Sequence, residues 1–300
     1  MEEFEQLYDQ IVRRDSGLEL RRQEPMSRHT SFHIGGPAAL MALPKTIDQA
    51  VTAVQVAHSM KIKPFFLGNG SNLLVSDDGV AGFLIKTTGL NWCEVDGTQI
   101  RAGCGVILAR LAHFAQENGL SGLEFAHGIP GSLGGGVTMN AGAYGGELAQ
   151  VVRKVTCITD SGEIQEVTDF DFQYRHSAFS DGRRMILAVQ LELQPGDPQE
   201  IQARMDELSA QRRSKQPLEY PSAGSMFKRP ANHYAAALID QCGLKGFTVG
   251  GAQVSEKHAG FVVNTGGASC TDVLQLVEEV RAQVKAKTRV ELEMEVKVLK

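Results

Sequence analysis

Apolar residues recur at helical spacing through "TIDQAVTAVQVAHSM", at Ile47, Ala50, Val51, Val54 and Ala57, which predicts an amphipathic helix. Thr46 and Gln49 stand where a capping box would start it. "KPFFLGNGSNLLV" then reads as a short buried strand, a glycine turn and a second strand. "VILARLAHFAQENGL" predicts another helix, closed by Asn118-Gly119. From 151 to 194 the pattern changes to alternating strands such as "VRKVTCITD", with turns at Asp160-Ser161-Gly162 and Asp181-Gly182. "QPGDPQEIQARMDELSAQRRSKQP" has a Pro/Gly turn and then a charged helix, the form of a boundary. The last hundred residues form an α+β segment ending in a helix, "TDVLQLVEEVRAQVKAK", and a strand, "RVELEMEVKVL".

One stretch fits none of these periods. "GIPGSLGGGVTMNAGAYGGE", residues 128–147, holds eight glycines yet is broken by Ile129, Leu133, Val137, Met139 and Tyr144. Linkers are polar; this run is not. Glycine permits left-handed φ and close approach of another molecule to the backbone, at an entropic cost. Buried glycine loops that bind phosphates do so through backbone N–H groups, so a nucleotide is the first expectation. Two GxG pairs, Gly68-Asn69-Gly70 and Gly103-Cys104-Gly105, do not extend to a dinucleotide fingerprint: Leu73 and Leu108 occupy the third glycine position. No Walker lysine follows any glycine loop.

Composition narrows the class. Three hundred residues, 42% hydrophobic, suffice for two packed domains. A net charge of −5 argues against a nucleic-acid or membrane-surface binder. The acidic, amphipathic start "MEEFEQLYDQIVRR" carries no secretory signal, and no apolar stretch approaches a membrane span. Cys93, Cys104, Cys157, Cys242 and Cys270 are scattered and form no CxxC, so neither zinc nor a disulfide framework is expected. His33, His127, His176, His233 and His258 show no ligand spacing, and no metal is expected. The expectation is a cytoplasmic, monomeric globular protein.

"FLGNGSNLLV", "LEFAHGIPGSLGGGVTMNAGAYGGE" and "YRHSAF", in that order, resemble the FAD-binding half of the UDP-N-acetylenolpyruvoylglucosamine reductase family. The resemblance starts at "RHTSFHIGGPA" and continues through "QPLEYPSAGSMFKRP", "GLKGFTVGGAQVSEKHAGFVVNTGGAS" and "VELEMEV", nearly the whole chain. It implies an α+β chain with a two-subdomain FAD-binding fold of the vanillyl-alcohol oxidase (PCMH) type and a C-terminal α+β substrate domain. The expected division is 1–196 for the FAD-binding domain, with subdomains of roughly 1–85 and 86–196, and 197–300 for the substrate domain. It further implies FAD and NADPH as cofactors, and UDP-N-acetylglucosamine enolpyruvate as the substrate reduced to UDP-N-acetylmuramate for peptidoglycan. In that picture Gly68, Asn69, Gly70, Ser71 and Asn72 line one side of the FAD pyrophosphate. Gly128, Ile129, Pro130, Gly131, Ser132, Gly134, Gly135, Asn140, Ala141 and Gly142 line the other.

The reaction implied adds a hydride to a vinyl methylene and leaves negative charge on the carbon bearing the carboxylate, which requires stabilisation and a proton. By resemblance Ser225 in "AGSMF" donates the proton, Arg175 in "YRHS" steadies the carboxylate and Glu295 in "LEMEV" assists the enolate. Read alone, Ser225 beside Gly224 is a turn residue, Arg175 a surface arginine, and Glu295 shares a solvated strand face with Glu291, Glu293 and Lys297. Lys228 and Arg229, bracketed by Phe227 and Pro230, are expected to contact substrate; Tyr174 either packs on it or fills core. Arg229 stands where many relatives carry asparagine, and the short interval from Arg175 to Ser225 leaves no room for a tyrosine-bearing lid. The chain thus resembles the shorter, lidless branch. Two rival readings stay open: a flavin oxidase or dehydrogenase of another small substrate, and a non-catalytic nucleotide-binding protein.

Overall fold

In the computed structural model, which describes residues 2–300, the helix expected after Thr46 runs Ile47–Ser59. Thr46 caps it by accepting from the Gln49 N–H at 3.2 Å. The reciprocal half of the box differs: Gln49 Oε1 accepts from Lys45 N–H at 2.8 Å, one residue before the cap. The helices Leu108–Glu117, Pro198–Lys215 and Cys270–Thr288 also form where periodicity places them, the first ending at Asn118 with Gly119 at φ +65°.

Two compact units are present. The first runs through Arg22 and then covers Ala39–Asn69 and Gly82–Gln211; the second comprises Gln23–Ala38, Gly70–Ala81 and Arg212–Lys300. They do not follow the chain order of the expected 1–196 and 197–300 division, because two early segments cluster with the C-terminal residues.

The first unit contains a five-stranded antiparallel sheet in the order Ile164–Val167, Val152–Ile158, Met185–Glu192, Gln99–Gly103, Cys93–Asp96. A four-stranded sheet orders Glu19–Pro25, Pro37–Leu43, Val80–Lys86 and Phe65–Leu67, the last pair parallel. Apolar faces of the helices meet these sheets in one continuous core containing Leu7, Ile11, Val54, Leu111, Val155 and Leu187, all fully buried. Burial at this level stabilises by about 1.5–3 kcal/mol per large aliphatic side chain.

The second unit has an antiparallel sheet ordered Ser222–Ser225, Phe261–Asn264, Ala252–Val254, Thr248–Val249. Its core packs Phe32, Leu74, Val262, Val273 and Leu276 together. Leu73–Val75 pairs in parallel with Lys297–Leu299. The final strand is therefore shorter than "RVELEMEVKVL" predicts. Residues 293–295 bond to 226–228 instead, and a bend at Val296 separates the two partnerships.

Candidate active site

Most of the bare backbone in 128–147 is required by the protein itself. A Cβ at Gly134 would lie 2.9 Å from Cys104 Cβ, one at Gly136 2.9 Å from Leu148, one at Gly142 2.8 Å from the Gly146 carbonyl, and one at Gly146 2.5 Å from the Phe125 ring. Gly142–Ala143 and Gly146–Glu147 form a hairpin whose turn, Tyr144-Gly145, has φ of +54° and +85°, the pair of positive values that a tight two-residue hairpin requires. Gly135 is different. It is exposed, and a Cβ there would meet only Ser132 Oγ at 3.6 Å.

The short helix Leu133–Thr138 begins at Ser132 and is fixed by Leu133 N–H donating to Val106 O and Gly134 N–H to Cys104 O, both 2.8 Å. Gly131 O accepts from Leu108 N–H at 2.9 Å, and Ala141 N–H donates to Gly136 O at 2.8 Å. Ile129 is half-buried against the core, whereas Pro130 is exposed. Ser132 Oγ is buried with no hydrogen-bond partner, and it lies 2.4 Å from where a Gly68 Cβ would stand. An orphaned buried hydroxyl costs about 1–3 kcal/mol. Together with the open face of Gly135 and the bare Gly68, it fits a ligand that brings acceptor oxygens to this turn, as a pyrophosphate does. Gly68 and Asn69 belong to this first unit; Gly70, Ser71 and Asn72 belong to the second. Gly70 is needed by the fold, since it has φ +65° and a Cβ would stand 2.0 Å from His29 O. Behind it His29 Nε2 meets Glu24 Oε1 at 2.7 Å, both buried.

Asn140, expected to contact cofactor, is buried at φ +42° with both ends of its amide engaged. Its Oδ1 accepts from Ala149 N–H at 3.0 Å, and its Nδ2 donates to Gln173 O at 3.3 Å. Gln173 and His176 exchange backbone bonds of 3.1 and 3.2 Å, closing a turn with Tyr174 and Arg175 at its tip. Arg175 is half-buried in the left-handed region, φ +57°, its guanidinium 5.2 Å from the Tyr174 ring centroid. Tyr174 is 57% exposed, so it does not fill core. His127 is a structural histidine, with Nδ1 2.8 Å from Ser209 Oγ and Nε2 3.0 Å from His113 Nε2.

In the second unit Ser225 ends a bulged strand: Ser222 pairs with Val263 and Ser225 with Phe261, so two residues face one across the ladder. Gly224 takes φ +79° with open space around it, so the conformation alone requires glycine. Bulges of this kind re-aim a side chain, and Ser225 is exposed. The chain continues into a short ladder in which Lys228 N–H donates to Glu293 O at 2.8 Å and Glu295 N–H to Met226 O at 2.9 Å. Asn72 joins from a third segment, Nδ2 donating to Glu295 O at 3.3 Å and O accepting from Lys297 N–H at 3.1 Å. Asn72, Ser225, Lys228 and Glu295 are thus gathered by main-chain bonds. Glu295 is half-buried while Glu291 and Glu293 are exposed, which corrects the expectation of one uniformly solvated face.

The cations are specific. Lys228 is half-buried and ion-paired to Glu293; Arg229 is exposed with its guanidinium 4.1 Å from the Tyr234 ring centroid. Lys297 was not expected. Partial desolvation of its ammonium, and then the charge of Lys228, push its pKa down although the residue is exposed. The only sequence signal for it was its place two residues after Glu295. All five cysteines are free; burial drives the Cys104 thiol up to about 12 and Cys270 to about 11. Among the described residues no helix is long and apolar enough to cross a membrane, and no group of three His, Cys, Asp or Glu side chains could hold a metal.

Comparison with known proteins connects these two regions to chemistry. Residues 38–168 match the family model for an FAD binding domain, and residues 216–299 match that for the UDP-N-acetylenolpyruvoylglucosamine reductase C-terminal domain. The chain is 46% identical over 278 residues to the UDP-N-acetylenolpyruvoylglucosamine reductase of Caldanaerobacter subterraneus subsp. tengcongensis, covering 92% of each. It is 44% identical over 285 residues to that of Lactobacillus acidophilus, covering 94% of this chain and 96% of the relative. The crystal structure of the Thermus caldophilus enzyme is similar at 34% identity and a TM-score of 0.81, over 94% of this chain and 99% of that one.

Proposed function

The chain belongs to the UDP-N-acetylenolpyruvoylglucosamine reductase family, flavin-dependent oxidoreductases of peptidoglycan synthesis, and on that premise we propose a residue-level account of its reaction. The substrate is UDP-N-acetylglucosamine carrying an enolpyruvyl ether, and NADPH is the reductant. Bound FAD supplies a two-electron carrier between them. Gly68, Asn69 and Gly135 hold the pyrophosphate through N–H groups beside the Ser132 hydroxyl, since the Leu133 and Gly134 N–H groups are already taken by Val106 O and Cys104 O. Peptide donors add no bulk and no charge, which suits a dianion inside a chain of net charge −5.

The reduction leaves electron density on the carbon bearing the carboxylate. Ser225 Oγ–H delivers a proton to that carbon: a C–H bond forms, the O–H bond breaks, and the alkoxide is reprotonated from solvent. A serine hydroxyl is a weak acid, but a carbanion is basic enough to take its proton. Arg175 pairs with the substrate carboxylate through the planar fork that an ammonium cannot copy. Glu295 assists the enolate, and Lys228, Arg229 and Tyr174 contact the rest of the substrate. The enzyme acts as a cytoplasmic monomer.

The observation that carries this reading is the Gly224 bulge, which ends a sheet strand and leaves an exposed Ser225 beside the ladder that carries Glu295. A small-molecule flavin oxidase would have no use for that serine. The test is NADPH consumption by purified, yellow protein, with and without the enolpyruvyl sugar nucleotide. Stoichiometric consumption only when the sugar nucleotide is present supports the reading. Rapid consumption with oxygen alone, unaffected by it, would replace the reductase with an oxidase.

A further inference from the structure

We propose that Asn140 is a positioning residue for Arg175 rather than a contact to the flavin nucleotide; the inference rests on the role just given to Arg175. Three observations converge. The Asn140 amide is buried, with Oδ1 held by Ala149 N–H at 3.0 Å and Nδ2 donating to Gln173 O at 3.3 Å. Gln173 is the first residue of the turn that carries Arg175 at its tip. Arg175 itself sits at φ +57°, a conformation that costs a non-glycine residue roughly 1–2 kcal/mol. Such a residue stays put only when its surroundings over-determine it.

The anchoring is two-sided. Beyond the turn, Ser177 Oγ and Ser180 Oγ both donate to Thr138 O, at 2.9 and 3.0 Å. Both anchors thus come from residues 138–140, the last residue of the glycine helix Leu133–Thr138 and the two that follow it. Asn140 also needs its own left-handed φ of +42° to present the amide to both partners, and asparagine tolerates that region better than other side chains. The same short segment that leaves the glycine turn fixes the guanidinium that the sugar-nucleotide step requires.

Asn140→Asp tests this with little change in shape. An aspartate keeps the acceptor for Ala149 N–H, tolerates the same φ, and loses the donor to Gln173 O, placing a carboxylate oxygen against a carbonyl. Stopped-flow traces at flavin wavelengths then separate reduction by NADPH from reoxidation by the enolpyruvyl substrate. The expected result is reoxidation slowed about 10- to 100-fold, the usual effect of a misplaced catalytic group, with reduction and FAD affinity unchanged. In an Arg175→Lys background the further loss should be much smaller, because the anchor would then hold a group already impaired. Asn140→Gly, which relieves φ and deletes both bonds, should act in the same direction and covers the case in which the aspartate variant does not fold. Loss of FAD affinity, or equal slowing of both half-reactions, would overturn the proposal in favour of a cofactor contact or a general structural role. Wild-type reoxidation in both Asn140 variants would overturn it too. Were Arg175→Lys itself to reoxidise normally, the role of Arg175 would fail instead, a separate outcome.

Discussion

Replacing Gly135 distinguishes a glycine kept for a ligand from its neighbours kept for the fold. An added Cβ at Gly135 meets only Ser132 Oγ, at the ordinary distance of 3.6 Å, whereas at Gly134 it comes within 2.9 Å of Cys104 Cβ. Gly135 lies inside the helix Leu133–Thr138, where alanine is favoured over glycine by roughly 0.5–1 kcal/mol. The apoprotein of Gly135→Ala should therefore be as stable as the parent or slightly more so, and Gly134→Ala less stable. Gly135→Val should push a pyrophosphate away from the turn. Loss of one charge-assisted hydrogen bond, about 1.5–3 kcal/mol, weakens binding roughly 10- to 150-fold. Flavin fluorescence titration of apoprotein gives the affinity, and thermal unfolding of the same sample gives the stability. Parent-like FAD affinity in Gly135→Val would show that the pyrophosphate does not touch this turn. A destabilised Gly135→Ala apoprotein would show that the glycine serves packing after all.

Ser225→Ala should leave flavin reduction by NADPH nearly intact and slow reoxidation by ~10²- to 10⁴-fold, the usual worth of a general acid. Ser225→Cys should recover part of that rate; equal slowing of both steps in stopped flow would make the serine structural. Burial holds the His258 pKa below its ordinary value, and its ring accepts from Gly260 N–H at 3.1 Å, which favours the neutral form. That contribution is fully present above the unfolded-state pKa of about 6.5 and is lost as pH falls through the lower folded value. Parent protein should thus lose more stability between pH 7.5 and pH 5 than His258→Gln, checked by urea unfolding at each pH. Cys104 and Cys270, with thiols raised to about 12 and 11, should resist alkylation at pH 7.5 until the protein is unfolded, as mass spectrometry after timed labelling would reveal.

Periodicity located the long helices because each buries a stripe that repeats with the helical turn, as Ile47 through Ala57 does. It failed at 289–299 for a physical reason. Apolar residues alternate there, but the backbone divides its bonds between residues 226–228 and 73–75, and periodicity carries no information about which segment supplies the partner. The glycine run was legible as a loop with special backbone, while the demands on it were not. Gly134, Gly136 and Gly146 answer to neighbours distant in sequence, Gly142 to its own hairpin partner strand, and Gly135 to open space. The roles proposed for Ser225, Arg175 and Glu295 rest on the family motifs, since each residue read alone has an ordinary structural explanation. The bond from Asn140 Nδ2 to Gln173 O was not legible, because a position inside a glycine-rich run says nothing of a residue 33 positions away. Lys297 looked like any strand lysine, and its lowered pKa arises first from desolvation and then from a neighbour 69 positions earlier, Lys228.

The pairing of Leu73–Val75 with Lys297–Leu299 has a consequence for how the chain is made. Asp77 tightens it, accepting from Cys270 N–H at 2.7 Å, Thr271 N–H at 3.0 Å and Thr271 Oγ1 at 2.9 Å. An early segment thus waits for partners translated some 200 residues later. At ribosomal speeds of about 5–20 residues per second, that delay is on the order of ten to forty seconds. Leu73, Leu74 and Val75 are apolar and present an unpaired strand edge throughout, a period in which chaperone capture or misassociation competes with maturation. The first unit can close much earlier, because its last segment ends at Gln211. A nascent chain stalled past that point would carry a folded flavin-binding unit with an unsatisfied β-strand protruding from its sequence.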